Sequence, residues 1–221
     1  MNSLIKIGLL IFIVALLWRF RHVKIKLRTF FKKGLKMNKG AYGVYCYCGK
    51  QGQGKTYSVV EFLREHKKMK IYSNVSLNGI EYKKIDGFAQ LLDLRSEQNC
   101  IIFYDEIFTA LTKSSRMTTE ILDFLSQMRK RKMIFLTTAQ EWLEINITLR
   151  RYCRYQIECH SFSLPFINHG ILIKNLYDAD NMKWSNEDNE YVAPLLETTI
   201  SKFNLITANC YDTFEQIKTR D

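Results

Sequence analysis

From residue 43 onward, short apolar runs alternate with polar breaks, and one longer apolar run precedes them all. Gly43–Cys48 is short and rich in β-branched and aromatic residues, which predicts a buried strand. From Tyr57 to Lys70, apolar Val59, Val60, Phe62 and Leu63 face away from a charged side, predicting a helix. Ile71-Tyr72-Ser73-Asn74-Val75 predicts a second strand with a polar Ser-Asn end. Cys100–Tyr104 and Met133–Leu136 predict two more buried strands; the first ends in Asp105-Glu106, the second in Thr137-Thr138-Ala139-Gln140. Between them, Thr118–Lys132 places Ile121, Leu122, Leu125 and Met128 on one helical face. Residues 155–163 and 170–177 predict later strands, and the polar, charged stretch 178–189 a surface loop. The fold class expected is therefore α/β, a mostly parallel sheet flanked by helices.

The N-terminal run is of another kind. Leu4 to Phe20 is apolar except for Lys6, Trp18 and Arg19, with an uninterrupted centre from Ile7 to Trp18. Seventeen helical residues reach about 25 Å, slightly short of the ~30 Å of a hydrocarbon layer. Its centre has no polar face, unlike a surface-lying helix, and its charges follow the apolar run, unlike a signal peptide. The expectation is an N-terminal transmembrane helix.

Charge sharpens that expectation. Twelve of the 33 Lys and Arg lie within residues 1–60, before the first acid, Glu61; the other 21 face 22 acids. Much of the +11 net charge thus sits in one block, with nine bases from Arg19 to Lys39. By the positive-inside rule this block stays cytoplasmic, against anionic lipid or, alternatively, nucleic acid. With 221 residues there is room for one sizeable domain. The division expected is residues 1–20 as anchor, 21–39 as basic juxtamembrane segment and 40–221 as catalytic domain. Six scattered cysteines without zinc spacing read as reduced, buried thiols.

Gly49-Lys50-Gln51-Gly52-Gln53-Gly54-Lys55-Thr56 fits the Gly-x-x-x-x-Gly-Lys-Thr phosphate loop and lies between a predicted strand and a predicted helix. There, backbone N–H groups can cradle phosphates at a helix N-terminus. Lys55 can reach the β and γ phosphates, Thr56 offers a hydroxyl to Mg²⁺, and Tyr57 follows directly. Asp105, at a strand's carboxyl end, is placed to hold Mg²⁺, and Glu106 to activate water. Gln140 is a candidate γ-phosphate sensor, or simply a polar residue leaving a strand. Arg129, in the Arg129-Lys130-Arg131-Lys132 run, is a candidate arginine finger or a solvated helix end; Leu149-Arg150-Arg151 is a second such run.

Taken together, the phosphate loop, Ser73-Asn74-Val75, Asp105-Glu106, Thr137-Thr138-Ala139-Gln140 and the stretch Glu144-Ile145-Asn146 to Leu149-Arg150-Arg151 resemble the FtsK/HerA group of P-loop NTPases. Within it the chain is similar to zonular-occludens-toxin (Zot)-type phage assembly proteins, over roughly residues 40–160. Viral DNA-packaging ATPases are close to the same pattern. The resemblance implies a RecA-like P-loop domain, ATP and Mg²⁺ as ligands, and a homo-oligomeric ring. It also implies DNA or phage nucleoprotein as partner, with the ATPase on the cytoplasmic face of a host membrane. The order departs from Zot-type proteins, whose membrane helix usually follows the ATPase domain, and Ala139 shifts the glutamine by one position. A small kinase and a non-hydrolysing membrane scaffold are the alternatives; the Asp105-Glu106 pair counts against both. Lys55→Ala is expected to weaken nucleotide binding about 10- to 100-fold, the cost of a lost charged hydrogen bond. Titration with a fluorescent ATP analogue measures it; unchanged binding would take the loop out of the site.

Overall fold

The computed structural model describes residues 3–20, 42–162, 170–185 and 190–212. Along the chain come α1 (Ser3–Phe20), β1 (Gly43–Cys48), α2 (Lys55–Glu65), β2 (Lys70–Ser73) and β3 (Lys83–Lys84). A 3₁₀ segment over Phe88–Ser96 leads to β4 (Cys100–Tyr104), α3 (Ile107–Ala110), α4 (Thr119–Gln127) and β5 (Ile134–Ala139). Then follow α5 (Ile147–Tyr152), β6 (Cys153–Phe162), β7 (Ile171–Asp178), β8 (Lys183–Ser185), β9 (Glu190–Val192), β10 (Leu195–Lys202) and α6 (Leu205–Ala208).

Eight strands form one sheet in the order β10-β7-β6-β1-β5-β4-β2-β3. The six from β6 to β3 are parallel, whereas β7 pairs antiparallel with β6 and β10 antiparallel with β7. The α/β, mostly parallel P-loop NTPase fold expected from the sequence is the fold observed. β1 is central and buried along its whole length because both faces are covered. Its alternate residues feed two cores: Val44, Cys46 and Cys48 join Phe135, Phe124 and Leu125 on one face. Tyr45 and Tyr47 join Val59, Val60, Leu63 and Leu136 on the other. α4 carries one strongly apolar face, which buries Ile121, Phe124 and Leu125. All six cysteines are free and buried. The outer strand β3 is two exposed lysines, a charged edge that discourages further strand pairing.

Two sequence expectations change. Among the described residues no helix is long and apolar enough to cross a membrane. The transmembrane helix expected over residues 4–20 is therefore not supported: α1 has 18 residues, about 27 Å, and its span includes Lys6 and Arg19. The basic segment 21–39 lies outside the described residues. The expected loop at 178–189 instead contains a 3₁₀ turn and β8, which pairs with β9. β10 gave no clear signal, because its burial alternates only weakly along an edge position.

Phe135 is fully buried at the sheet centre. Phe135→Ala is expected to lower unfolding free energy by about 3–5 kcal/mol through the cavity it leaves. Urea titration followed by circular dichroism would show an earlier midpoint with an unchanged slope.

Candidate nucleotide-binding site

The carboxyl ends of β1, β2, β4 and β5 converge on a cleft of about 470 Å³. It is lined by Gln51, Gly52, Gly54, Lys55 and Thr56 of the phosphate loop, by Asp105 and Glu106, and by Thr138. Tyr57, Val75, Phe203, Tyr211 and Asp212 complete the wall.

The loop between β1 and α2 is fastened on both sides. Gly49 N–H donates to the Gln140 carbonyl after β5, at 3.0 Å. On the β6 side, Ser161 N–H donates to Gln53 Oε1 (2.7 Å) and Ser161 Oγ to the Gly52 carbonyl (2.9 Å). A Cβ at Gly49 would lie 2.7 Å from the Cys159 carbonyl oxygen, so no larger residue fits there. Gly54 turns the chain into α2 at φ +80°, with Leu172 and Phe203 closing over it. Lys55 Nζ is held by the Gly49 (2.7 Å) and Lys50 (3.2 Å) carbonyls, folded back over its own loop.

Asp105 is the most constrained group in the cleft. Its N–H donates to Asn74 Oδ1 (2.8 Å), and Asn74 Nδ2 returns a bond to its carbonyl (3.3 Å). Thr138 Oγ1 donates to its carboxylate, and Thr56 Oγ1 approaches both carboxylate oxygens at 3.3 and 3.4 Å. Burial pushes the Asp105 carboxyl up from 3.8 to about 6; the Thr138 hydroxyl opposes that rise and the neighbouring Glu106 adds to it. Glu106 sits at φ 52°, ψ 55°, a left-handed conformation that costs a non-glycine residue about 1–2 kcal/mol. Two sets of bonds hold it there: its N–H donates to Thr138 Oγ1, and its carbonyl accepts from Thr109 N–H and Thr109 Oγ1.

The structure thus gathers Lys55, Thr56, Tyr57, Asp105 and Glu106 into one cleft. It does not bring Gln140 into the lining: that side chain is exposed, and its backbone supports Gly49. Thr138, two residues earlier, is the member of the β5 end that reaches the acids, because strand alternation and register point it at Asp105. Arg129 also lies elsewhere, at the opposite sheet edge beside Gly43, ion-paired with Asp180. Arg150 and Arg151 fall in α5, which leads into the start of β6 at that same edge. Asn74 was legible as a polar strand end. Phe203, Tyr211 and Asp212 were not, because they arrive from a distant C-terminal segment. That segment is tied in by Asn78 N–H to the Cys210 carbonyl and by Asn204 N–H to the Tyr57 hydroxyl oxygen.

The raised pKa of this buried acid makes stability depend on pH. Between the unfolded pKa near 4 and the folded value near 6, the native state keeps a proton that the unfolded chain has lost. Nucleotide-free protein is therefore expected to lose up to about 3 kcal/mol of stability as pH rises through that window. Asp105→Asn should remove this component of the pH dependence, measured by thermal melting across the range.

Known structures share this fold at low sequence identity. No curated protein matches the chain. Among solved structures, the N-terminal domain of zonular occludens toxin from Neisseria meningitidis aligns with a TM-score of 0.52 at 13% identity, covering 78% of this chain and 100% of that one. The genome packaging NTPase B204 of Sulfolobus turreted icosahedral virus 2, with ATP-γS bound, aligns at a TM-score of 0.48 and 12% identity, covering 71% and 98%. The family model for ATPases associated with various cellular activities (AAA) matches residues 45–161, more than half of the chain, from β1 through the phosphate loop and both acids to β6. The protein belongs to the AAA family of ATPases.

Proposed function

We propose that this ATPase is a membrane-attached motor for phage or viral morphogenesis, driving virion assembly and extrusion or DNA translocation. The observation that carries the hydrolytic part is Glu106, held in a left-handed backbone beside Asp105 at the mouth of the phosphate loop. Asn99 and Lys132 share that conformation, but of the three only Glu106 lines the cleft.

The residues suit Mg²⁺. The Thr56 hydroxyl and the Asp105 carboxylate are hard oxygen donors facing each other, and a cation would relieve the cost of ionising a buried acid. No cluster of three His, Cys, Asp or Glu among the described residues could hold a metal unaided, so water and phosphate oxygens would complete the shell. When bound, Mg²⁺ neutralises phosphate charge. The chain's own groups do the rest. Loop N–H groups and Lys55 take the phosphate oxygens, Lys55 leaving its two carbonyl partners. Glu106 accepts a proton as water attacks the γ-phosphorus; the bond to the β–γ bridging oxygen breaks, giving ADP and phosphate. Thr138 keeps Asp105 and the Glu106 backbone in register throughout.

Attachment at the cytoplasmic face of a host membrane is proposed from α1. Its centre, Ile7 to Trp18, carries no charge, and Ile7, Leu9, Leu10, Ile11, Phe12, Ile13 and Val14 are exposed to between 44% and 64%. A ring of subunits and a DNA or nucleoprotein cargo rest on the Zot-type resemblance of the motifs. Glu106→Gln is expected to cut the ATP hydrolysis rate about 10²- to 10⁴-fold while leaving ATP affinity nearly unchanged. Phosphate-release assays with and without single- and double-stranded DNA test this. Hydrolysis indifferent to DNA yet dependent on a small acceptor would replace the motor with a kinase.

A further inference from the structure

β6 outruns its parallel neighbour. β1 ends at Cys48, opposite Glu158, whereas β6 continues to Phe162. Past Glu158 the ladder to β1 stops, and the phosphate loop lies against β6 instead. Alternation puts Ser161 on the same sheet face as Ile157 and Cys159, the face that α2 covers with Val59, Val60 and Leu63. The loop climbs from β1 to α2 on that face, so it meets Ser161.

Two bonds made by this one residue set the direction of a single peptide in the loop. Ser161 Oγ donates to the Gly52 carbonyl (2.9 Å), and Ser161 N–H donates to Gln53 Oε1 (2.7 Å). A trans peptide points its C=O and its N–H in opposite directions. With the Gly52 carbonyl turned out toward β6, the Gln53 N–H is turned into the loop, where it donates to the Lys50 carbonyl at 3.1 Å. That same carbonyl accepts from Lys55 Nζ at 3.2 Å. Two donors suited to a phosphate oxygen thus converge on one neutral oxygen. Packing does not hold the peptide: Gly52 sits at φ +77°, and an added Cβ would meet nothing within 4 Å.

We propose that Ser161 is a positioning residue for nucleotide binding: its hydroxyl holds the Gly52–Gln53 peptide with the Gln53 N–H facing the phosphates. A charged phosphate oxygen is a stronger acceptor than a carbonyl, so it draws the Gln53 N–H and Lys55 away from Lys50. The bond closing the 50–53 turn is then gone, and the two bonds to Ser161 keep the peptide from turning over. Gln53 serves twice in this arrangement, its N–H toward the phosphates and its side chain on β6. The role rests on the loop binding ATP and is independent of membrane and cargo.

The test titrates full-length protein with a fluorescent ATP analogue in the presence of Mg²⁺ and measures steady-state hydrolysis beside it. Ser161→Ala should weaken binding and raise KM about 2- to 10-fold, the cost of one hydrogen bond, with kcat changed by less than about twofold. Ser161→Thr keeps the hydroxyl and should restore both. In nitrogen-15-labelled protein, ATP-γS should shift the Gln53 amide resonance in the wild type and in Ser161→Thr, and markedly less in Ser161→Ala. Gln53→Met removes the second tie, leaves Ser161 in place and should weaken binding to a similar degree. ATP binding that Ser161→Ala leaves at full strength would overturn the proposal and keep the loop as the ATP site. So would a lower melting temperature and kcat with KM and the Gln53 shift unmoved, since that is a structural role. If Ser161→Ala did not fold, full affinity in Gln53→Met would overturn it. No ATP binding by the wild type would overturn the loop assignment as well.

Discussion

The hydrogen bonds that fix Asp105 hold the functional end of this molecule together. A carboxylate with little exposure is costly unless its surroundings are polar, and here the polar groups come from two other strand ends and the phosphate loop. Asn74 from β2 brackets the Asp105 peptide, Thr138 from β5 bonds the carboxylate, and Thr56 faces it from the start of α2. None of these neighbours can shift without disturbing another. The register of β2, β4 and β5 is thereby locked at the edge where precision matters, while mostly apolar residues fill the rest of those strands.

The phosphate loop depends on the same logic. Its glycines permit the turn, but its position comes from Gln140 on one side and from Cys159 and Ser161 on the other. Glu106 is then presented by a strained backbone whose cost, about 1–2 kcal/mol, is offset by bonds to Thr138 and Thr109. Strain at this one residue is compatible with a stable domain because the strands behind it are buried on both faces.

A parallel sheet has two unlike edges, and this protein differentiates them sharply. The carboxyl edge gathers the glycine loop, two acids and a threonine around a cleft. The amino edge gathers exposed lysines and arginines, which no inventory of net charge reveals, since residues beyond 60 are almost neutral overall. Parallel topology creates the segregation: every loop before a strand lies on one side, and every loop after it on the other.

The sequence by itself determined the strand–loop–helix context of the phosphate loop, the α/β class, and the cluster of Lys55, Thr56, Asp105 and Glu106. Local patterning carries that much, because buried strands, glycine turns and strand-end acids are each written within a few consecutive residues. Tertiary structure alone decided that Thr138 rather than Gln140 reaches the acids, since that depends on the register between β4 and β5. It alone carried Phe203, Tyr211 and Asp212 to the cleft wall and set Arg129 at the far edge, paired with Asp180. Those outcomes require contacts between segments dozens of residues apart, fixed only when the two cores close on either side of the sheet.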